Sequence, residues 1–449
     1  MSVMRAWLVL ALVVLPVEAR ASLWGGGPRD QWLVESEVGE LPASVIGQLP
    51  QNYPPTAYQM NQSTIIMPCN NSGYTDPKST VGWAIVDFDW SNGKAIWTKQ
   101  RPMRDEYILQ KQVEMSTRAS LGQKIWVYRG TVWAYPWYES VRKTLEDSAY
   151  ADWYIKFKPK GPWYSDKCDK VNTTDCSDLY HNQEQSPGFP TGDGDCGAPN
   201  CYCGSNVPCG FYIWNHSSTT VVYGQSFIEW FRDSYVFDDQ GISPLVGGFY
   251  FDDVWPASGK FPDPFANMTE DMGLTPEEQR AISKSYHQNM AVIYNTVLQR
   301  GKFSWQQMWN GQESSRKTFC CTKPLVFKES CAANLRKYCK PGSPAQTRVL
   351  HYAFSPGSCG GGTGKVPLTA PLQDIASFLL IRGPHAYLGH GWLGCSRQYY
   401  LPKEMHWDYG KPTGLCQETA IGSGVFERKW TKATITMDCN TWTPTIMQK

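Results

Sequence analysis

The amino-acid sequence predicts an α/β fold: a (β/α)8 TIM barrel with a Cys-rich insertion and a small C-terminal β appendage. Three observations lead there. Strand-like and helix-like stretches alternate along most of the chain. The 449 residues suit one barrel of ~250 residues with long loops and an appendage. No phosphate-binding glycine loop follows an early strand, as a doubly wound open sheet would require.

The elements follow in order. Residues 1–21 read as a secretory signal, with Arg5 as the positive start, an apolar run from Ala6 to Val17, and Ala19-Arg20-Ala21 as a small-x-small cleavage pattern. Residues 22–58 are rich in Gly, Pro and polar side chains and form an extension over the domain. The barrel is expected over 59–405. Its strands are Thr64 to Cys69, Gly82 to Trp90, Lys124 to Gly130, Gly210 to Asn215, Val246 to Asp252, Phe303 to Trp309, Arg348 to Phe354 and Ala386 to Trp392. Helical stretches lie at Tyr107 to Leu121, Ser226 to Val236 and Leu372 to Arg382. The clearest helix has Thr275 as N-cap, Pro276 at its first position, Glu278 closing a capping box, Ile282, Tyr286, Met290, Ile293 and Val297 on one face, and Gly301 as its stop. Residues 157–210 break the rhythm with six cysteines and form the stapled insertion. From 406 to 449 turns and two strands, Val425 to Trp430 and Ala433 to Cys439, make the appendage.

Composition narrows the function. The formal charge of +1 falls to zero once a leader holding Arg5, Arg20 and Glu18 is removed. A neutral surface has no electrostatic grip on nucleic acid or anionic lipid, which points to an uncharged partner. After the leader no stretch reaches the ~18 apolar residues that a membrane span needs, so a secreted, extracellular product is expected. Fifteen cysteines then imply disulfides rather than zinc, including at Cys196, Cys201, Cys203 and Cys209. Adjacent Cys320 and Cys321 are expected to pair among Cys331, Cys339 and Cys359, and the odd total leaves Cys69 as a free thiol. Sequons at Asn61, Asn70, Asn172, Asn215 and Asn267 fit a glycoprotein.

The chemistry concentrates in Val246-Gly247-Gly248-Phe249-Tyr250-Phe251-Asp252-Asp253-Val254-Trp255. Period-two alternation sets Phe249 and Phe251 on one face and Tyr250 and Asp252 on the other, delivering Asp252 to a strand's carboxyl end. That is where barrel enzymes hold their reacting groups. A carboxylate beside an aromatic ring suits sugars, because the ring stacks on the apolar face while the acid works on the glycosidic bond. Asp253 is a loop-fixing neighbour or the partner acid. Asp87 and Asp89 share a face on an early strand and supply a second carboxyl, or else pair with Arg129; Glu418 is a third source. Trp255 is the expected platform, with Tyr250, Arg129, Trp133, Trp392 and His390 lining the substrate site. His351, His385 and His390 lack the spacing of a metal triad, and no cofactor or metal is indicated.

In this order the residues resemble a family of secreted glycoside-hydrolase-like TIM-barrel proteins of microbial eukaryotes, across roughly Ile65 to Ile446. The marks are Tyr128-Arg129-Gly130 with Trp133, Tyr212-Ile213-Trp214-Asn215-His216-Ser217, the Asp252 strand, Gly391-Trp392-Leu393-Gly394-Cys395, Asp408-Tyr409-Gly410-Lys411-Pro412-Thr413-Gly414 with Cys416 and Glu418, and Val425-Phe426-Glu427-Arg428-Lys429-Trp430. Lys411 stands where that family's segment usually carries Glu. The resemblance implies a barrel of glycosidase ancestry. Two functions are compatible with it: hydrolysis of O-glycosidic bonds in a neutral polysaccharide or glycan by two carboxyl groups, or a catalytically inactive extracellular glycan-binding or matrix glycoprotein. Oligomeric state is not indicated.

Overall fold

The computed structural model describes residues 56–68, 70–156, 203, 207, 212–237, 244–252, 255, 274–306, 326–343, 350–353, 371–390 and 402–449. Seven strands form one parallel sheet: β1 (Thr64–Ile66), β2 (Ile85–Phe88), β3 (Lys124–Gly130), β4 (Val246–Asp252), β5 (Phe303–Gln306), β6 (Leu350–Ala353) and β7 (Ala386–His390). Their order is β6-β7-β1-β2-β3-β4-β5. Chain neighbours lie side by side, and the last strand pairs with the first, Thr64 against Leu388. That cyclic order is the order of a barrel. Among the described residues, however, β5 and β6 are not paired and an eighth strand is not seen. The described strands thus form a seven-stranded parallel sheet, and closure to eight is not shown among them.

Helices connect the strands: α1 (Asp105–Ala119) after β2, α2 (Glu139–Leu145) after β3, α3 (Pro276–Gln299) after β4, α4 (Val326–Tyr338) after β5 and α5 (Pro371–Ile381) after β6. Before β4 a further turn of helix, Phe227–Trp230, runs on as the π-helical Phe231–Val236. The α3 helix begins as its sequence demands. Thr275 accepts from the Glu278 backbone while the Glu278 side chain accepts from the Thr275 N–H, and Pro276 occupies the first position. Ile282, Tyr286, Met290, Ile293 and Val297 are all buried, each contributing about 1.5–3 kcal/mol of apolar burial.

Gly247 and Gly248 explain how β4 fits. The pairing jumps from Ile125↔Val246 to Trp126↔Gly248, so Gly247 is an extra residue in a bulge. A Cβ at Gly248 would lie 2.5 Å from the Phe303 carbonyl and 2.6 Å from the Trp126 ring. Only glycine admits that indole, which lies over Phe303 at 6.4 Å. Beyond the bulge Tyr250 faces Tyr128 and Asp252 faces Gly130, while Phe249 and Phe251 turn the other way onto Phe237 and Tyr294. The alternation expected from the sequence is therefore present.

The C-terminal sheet is an antiparallel meander of four strands, β8 (Gln417–Glu418), β9 (Val425–Lys429), β10 (Ala433–Asp438) and β11 (Thr443–Gln448). Two more strands appear than expected, because β8 has only two residues and β11 is largely exposed and polar. The cysteine pairing differs too. Cys331 bonds to Cys439 and Cys339 to Cys416, with Cα separations of 5.5 and 5.0 Å. Cys331 in α4 and Cys339 just after it thus reach the C-terminal sheet rather than Cys320 or Cys321. The 157–210 insertion, Cys69, Cys320, Cys321 and Cys359 lie outside the described residues, apart from disulfide-bonded Cys203 and Val207.

Candidate active site

Asp252 ends β4 half-buried, and each of its carboxyl oxygens accepts a tyrosine hydroxyl. Tyr128 donates to Oδ2 at 2.9 Å and Tyr250 to Oδ1 at 3.1 Å. Tyr128 and Tyr135 are also 2.9 Å apart. Since a phenol has one proton and that of Tyr128 goes to Asp252, Tyr135 is the donor, and a chain runs Tyr135 to Tyr128 to Asp252. Gly130 permits the approach, because a Cβ there would sit 2.7 Å from the Tyr135 ring.

The backbone behind Asp252 is pinned as firmly. Its carbonyl accepts from the Thr131 N–H and from Thr131 Oγ1, both at 2.9 Å. Tyr286 lies 2.9 Å from Thr131 Oγ1 and must donate to it. His216 Nε2 is 2.8 Å from the Thr131 carbonyl, an acceptor, so Nε2 carries the proton and Nδ1 accepts from Asn289 at 3.3 Å. Burial pushes His216 down to about 3, which keeps the ring neutral.

The second and third carboxyls come from β2 and its end. Asp87 pairs in register with Trp126, which pairs with Gly248, so Asp87 faces the same side as the Tyr128 and Asp252 row. It is wholly buried and neither oxygen has a hydrogen-bond partner. Burial, then the nearby Asp89 and Asp252, raise it well above the usual carboxylate range, although Arg129 opposes this. Asp89 is held by Ser91, whose N–H and hydroxyl both donate to Oδ1, while Oδ2 has no partner. Burial lifts Asp89 to about 6 against the pull of those bonds, with Asp252 adding a little more. The three acids are electrostatically coupled.

Asp105 is another buried carboxyl, one that the sequence analysis did not single out. It opens α1, both oxygens are unpartnered, and burial, with Glu106 and Asp89, raises it. Acid residues favour the first turn of helices generally, so nothing local marked this one out.

The aromatic wall stands next to Asp89. Trp90 is half-buried, stacks on Tyr135 at 5.7 Å and meets Trp137 in a tilted contact at 5.3 Å, with Trp97 lying 5.8 Å beyond Trp137. Trp255, the expected platform, is completely buried and has no ring face to offer, whereas Trp90 is only half-buried. Arg129 is also buried: it donates to the Tyr235 and Tyr128 carbonyls and lies over the Tyr138 and Tyr235 rings. It forms no ion pair with Asp87 or Asp89. Trp133 is buried in a short ladder against Ile213. Glu418 is far from this chemistry, since Arg336 grips it through two bonds of 3.0 and 2.6 Å that join α4 to β8 and hold it down to about 2. Asp253, Trp392 and His351's and His390's side chains lie outside the described residues. Among the described residues no group of three or more His, Cys, Asp or Glu is placed to hold a metal ion.

No protein-family model matches this chain, and no curated protein matches it. Among solved structures it is similar to the acarbose-soaked crystal structure of the Nostoc punctiforme debranching enzyme, with 10% identity over 85% of this chain and 89% of that one, and a TM-score of 0.36.

Proposed function

We propose that this chain is a secreted glycoside hydrolase on a (β/α)8 barrel, cleaving O-glycosidic bonds of a neutral polysaccharide or glycan. One observation carries the reading: at one end of a parallel sheet, two coupled carboxyl groups sit in environments that separate their tasks. Asp252 is braced by two phenols. Asp89, raised to about 6 by burial, retains its proton in mildly acidic solution. Such a division is what glycoside hydrolysis asks of two acids. Asp89 passes its proton to the glycosidic oxygen as the C–O bond breaks. Asp252 then attacks the anomeric carbon or takes the proton of the attacking water. Trp90 supports the sugar ring.

The disulfides, and the lack of any described helix long and apolar enough to cross a membrane, are consistent with an extracellular protein. A catalytically silent glycan binder is the second reading, favoured by the low exposure of Asp89, 7%. Screening the secreted protein against arrayed polysaccharides separates the two. Release of reducing ends by the wild type, lost in Asp252→Asn with binding retained, is the expected result. Turnover unchanged in that variant removes Asp252 from the mechanism; binding without release by the wild type favours the silent barrel.

A further inference from the structure

The hairpin before helix Phe227–Trp230 holds an aromatic ring where the backbone suits almost any other choice better. Val221–Val222 pairs with Gln225–Ser226, Val222 opposite Gln225, leaving Tyr223 and Gly224 as a two-residue loop. Both have positive φ, 49° and 82°. Two positive values in a two-residue hairpin loop mark a type I′ turn, whose first position favours Asn, Asp or Gly. A tyrosine there is strained, and strain of this kind concentrates where a side chain has a task.

Core packing does not explain the ring, which is 79% exposed. It is nevertheless held in place. Its hydroxyl donates to Asp147 Oδ2 at 2.7 Å. Its edge meets Tyr150 at 5.9 Å, and Tyr150 in turn meets the fully buried Trp153 at 4.6 Å. Most of the Tyr223 surface is left to solvent, as is most of Val221 in the same hairpin, 60% exposed. The Asp147 carboxylate stands at the Tyr223 hydroxyl, and three residues earlier in the chain Thr220 Oγ1 donates to the Asp152 carboxylate at 3.0 Å.

A pre-positioned, exposed aromatic ring with a carboxylate acceptor at its edge fits a sugar ring. The C–H face stacks on the phenol and a hydroxyl donates to the acid. The same carboxylate repels phosphate, nucleic acid and acidic peptides. We propose that Tyr223 is the centre of a second glycan-binding site, outside the Asp252 cleft, that holds the neutral polysaccharide on which the cleft acts. The identity of that ligand rests on the glycosidase reading; the rigidity of the ring does not.

The test uses the full chain carrying Asp252→Asn, with retention measured on insoluble cellulose, chitin, xylan and β-1,3-glucan particles. Tyr223→Asn removes the ring and supplies a residue the turn prefers, so the melting temperature should hold or rise by roughly 1–2 °C. Polymer affinity should fall roughly five- to tenfold in Tyr223→Asn and persist in Tyr223→Phe. In the otherwise unaltered enzyme, kcat on short soluble oligosaccharides should stay within about twofold, as expected for a contact that binds polymer and not the transition state. Equal retention by Tyr223→Asn and the parent overturns the site while leaving the cleft chemistry intact. Retention on none of the four particles also overturns it, and release of reducing ends from soluble glycans then reports separately on the hydrolase.

Discussion

Asp87 is a carboxyl that the folded chain holds against its own stability. It has no exposure and no hydrogen-bond partner, a condition tolerable only while it is protonated. Its proton affinity is raised in the fold relative to the ordinary value of 3.8. The native state therefore binds the proton more tightly than the unfolded chain does, and stability is fullest below that value and drains away as pH rises toward the folded one. Asp87→Asn removes the effect at nearly constant shape. Thermal melts should show little difference between variant and wild type near pH 3.5 and a gain of a few degrees in the variant near pH 7. A difference that does not grow with pH would mean that Asp87 is not held neutral by burial. Asp89 gives the complementary kinetic prediction. In the proton-donor role proposed for it Asp89 works only while protonated, so the rate on a polysaccharide should fall about tenfold per pH unit above about 6. Asp89→Asn should lose roughly 10²–10⁴-fold on the polymer and far less on an aryl glycoside whose leaving group needs no proton. Equal losses on both substrates would take the acid role from Asp89.

Elements were legible in the sequence where local chemistry and burial ask for the same residues. Helix α3 is the example: its cap, its proline and its buried face all follow from Thr275, Pro276, Glu278 and the 3.6-residue period. Strand β3 spans Lys124–Gly130, the bounds expected from its sequence. What the sequence hides depends on distant neighbours. The full burial of Trp255 and the partial exposure of Trp90 are decided by what packs around each ring, and both indoles come within three residues of an acid at a strand end. Asp105 resembles any acid in a first helical turn until Asp89 and Tyr138 are brought beside it. Strand β11 begins Thr443-Pro444-Thr445 and shows no apolar alternation, since its partner β10 supplies the buried side chains Ala433, Ile435 and Met437. Arg428 is similar. On paper it is one more charge on an amphipathic strand; in the fold its guanidinium donates to the carbonyls of Leu379, Leu380 and Arg382. These are the groups a helix leaves unsatisfied at its end, and a cation is the ligand they favour. The C-terminal sheet thereby caps α5, the helix that leads into β7.

At the scale of the whole molecule, two kinds of bond hold the parallel sheet's helices to the C-terminal sheet. Arg428 joins it to α5 and the Arg336–Glu418 pair joins it to α4, but the pair is exposed and contributes little by itself. The covalent links differ in kind. Cys331–Cys439 and Cys339–Cys416 span 108 and 77 residues, and closing a loop of this size removes about 4–5 kcal/mol of unfolded-chain entropy in the simplest treatment. The two loops overlap, so the second adds less than the first. Neither disulfide touches Asp252, Asp89 or their phenols. Replacing Cys331 and Cys439 by serine should therefore lower the melting temperature by about 5 °C while leaving kcat of the folded protein near its original value. Mild reduction of the wild type should reproduce the shift and open the C-terminal sheet to limited proteolysis ahead of the parallel one. A melting temperature that stays put in the double variant would place the cohesion of the two sheets in Arg428 and the apolar contacts of α5 instead. Activity that falls in step with stability would show that the C-terminal sheet also positions the carboxyl cluster, through α5 and β7, whose last residue pairs with the β1 strand next to Asp87.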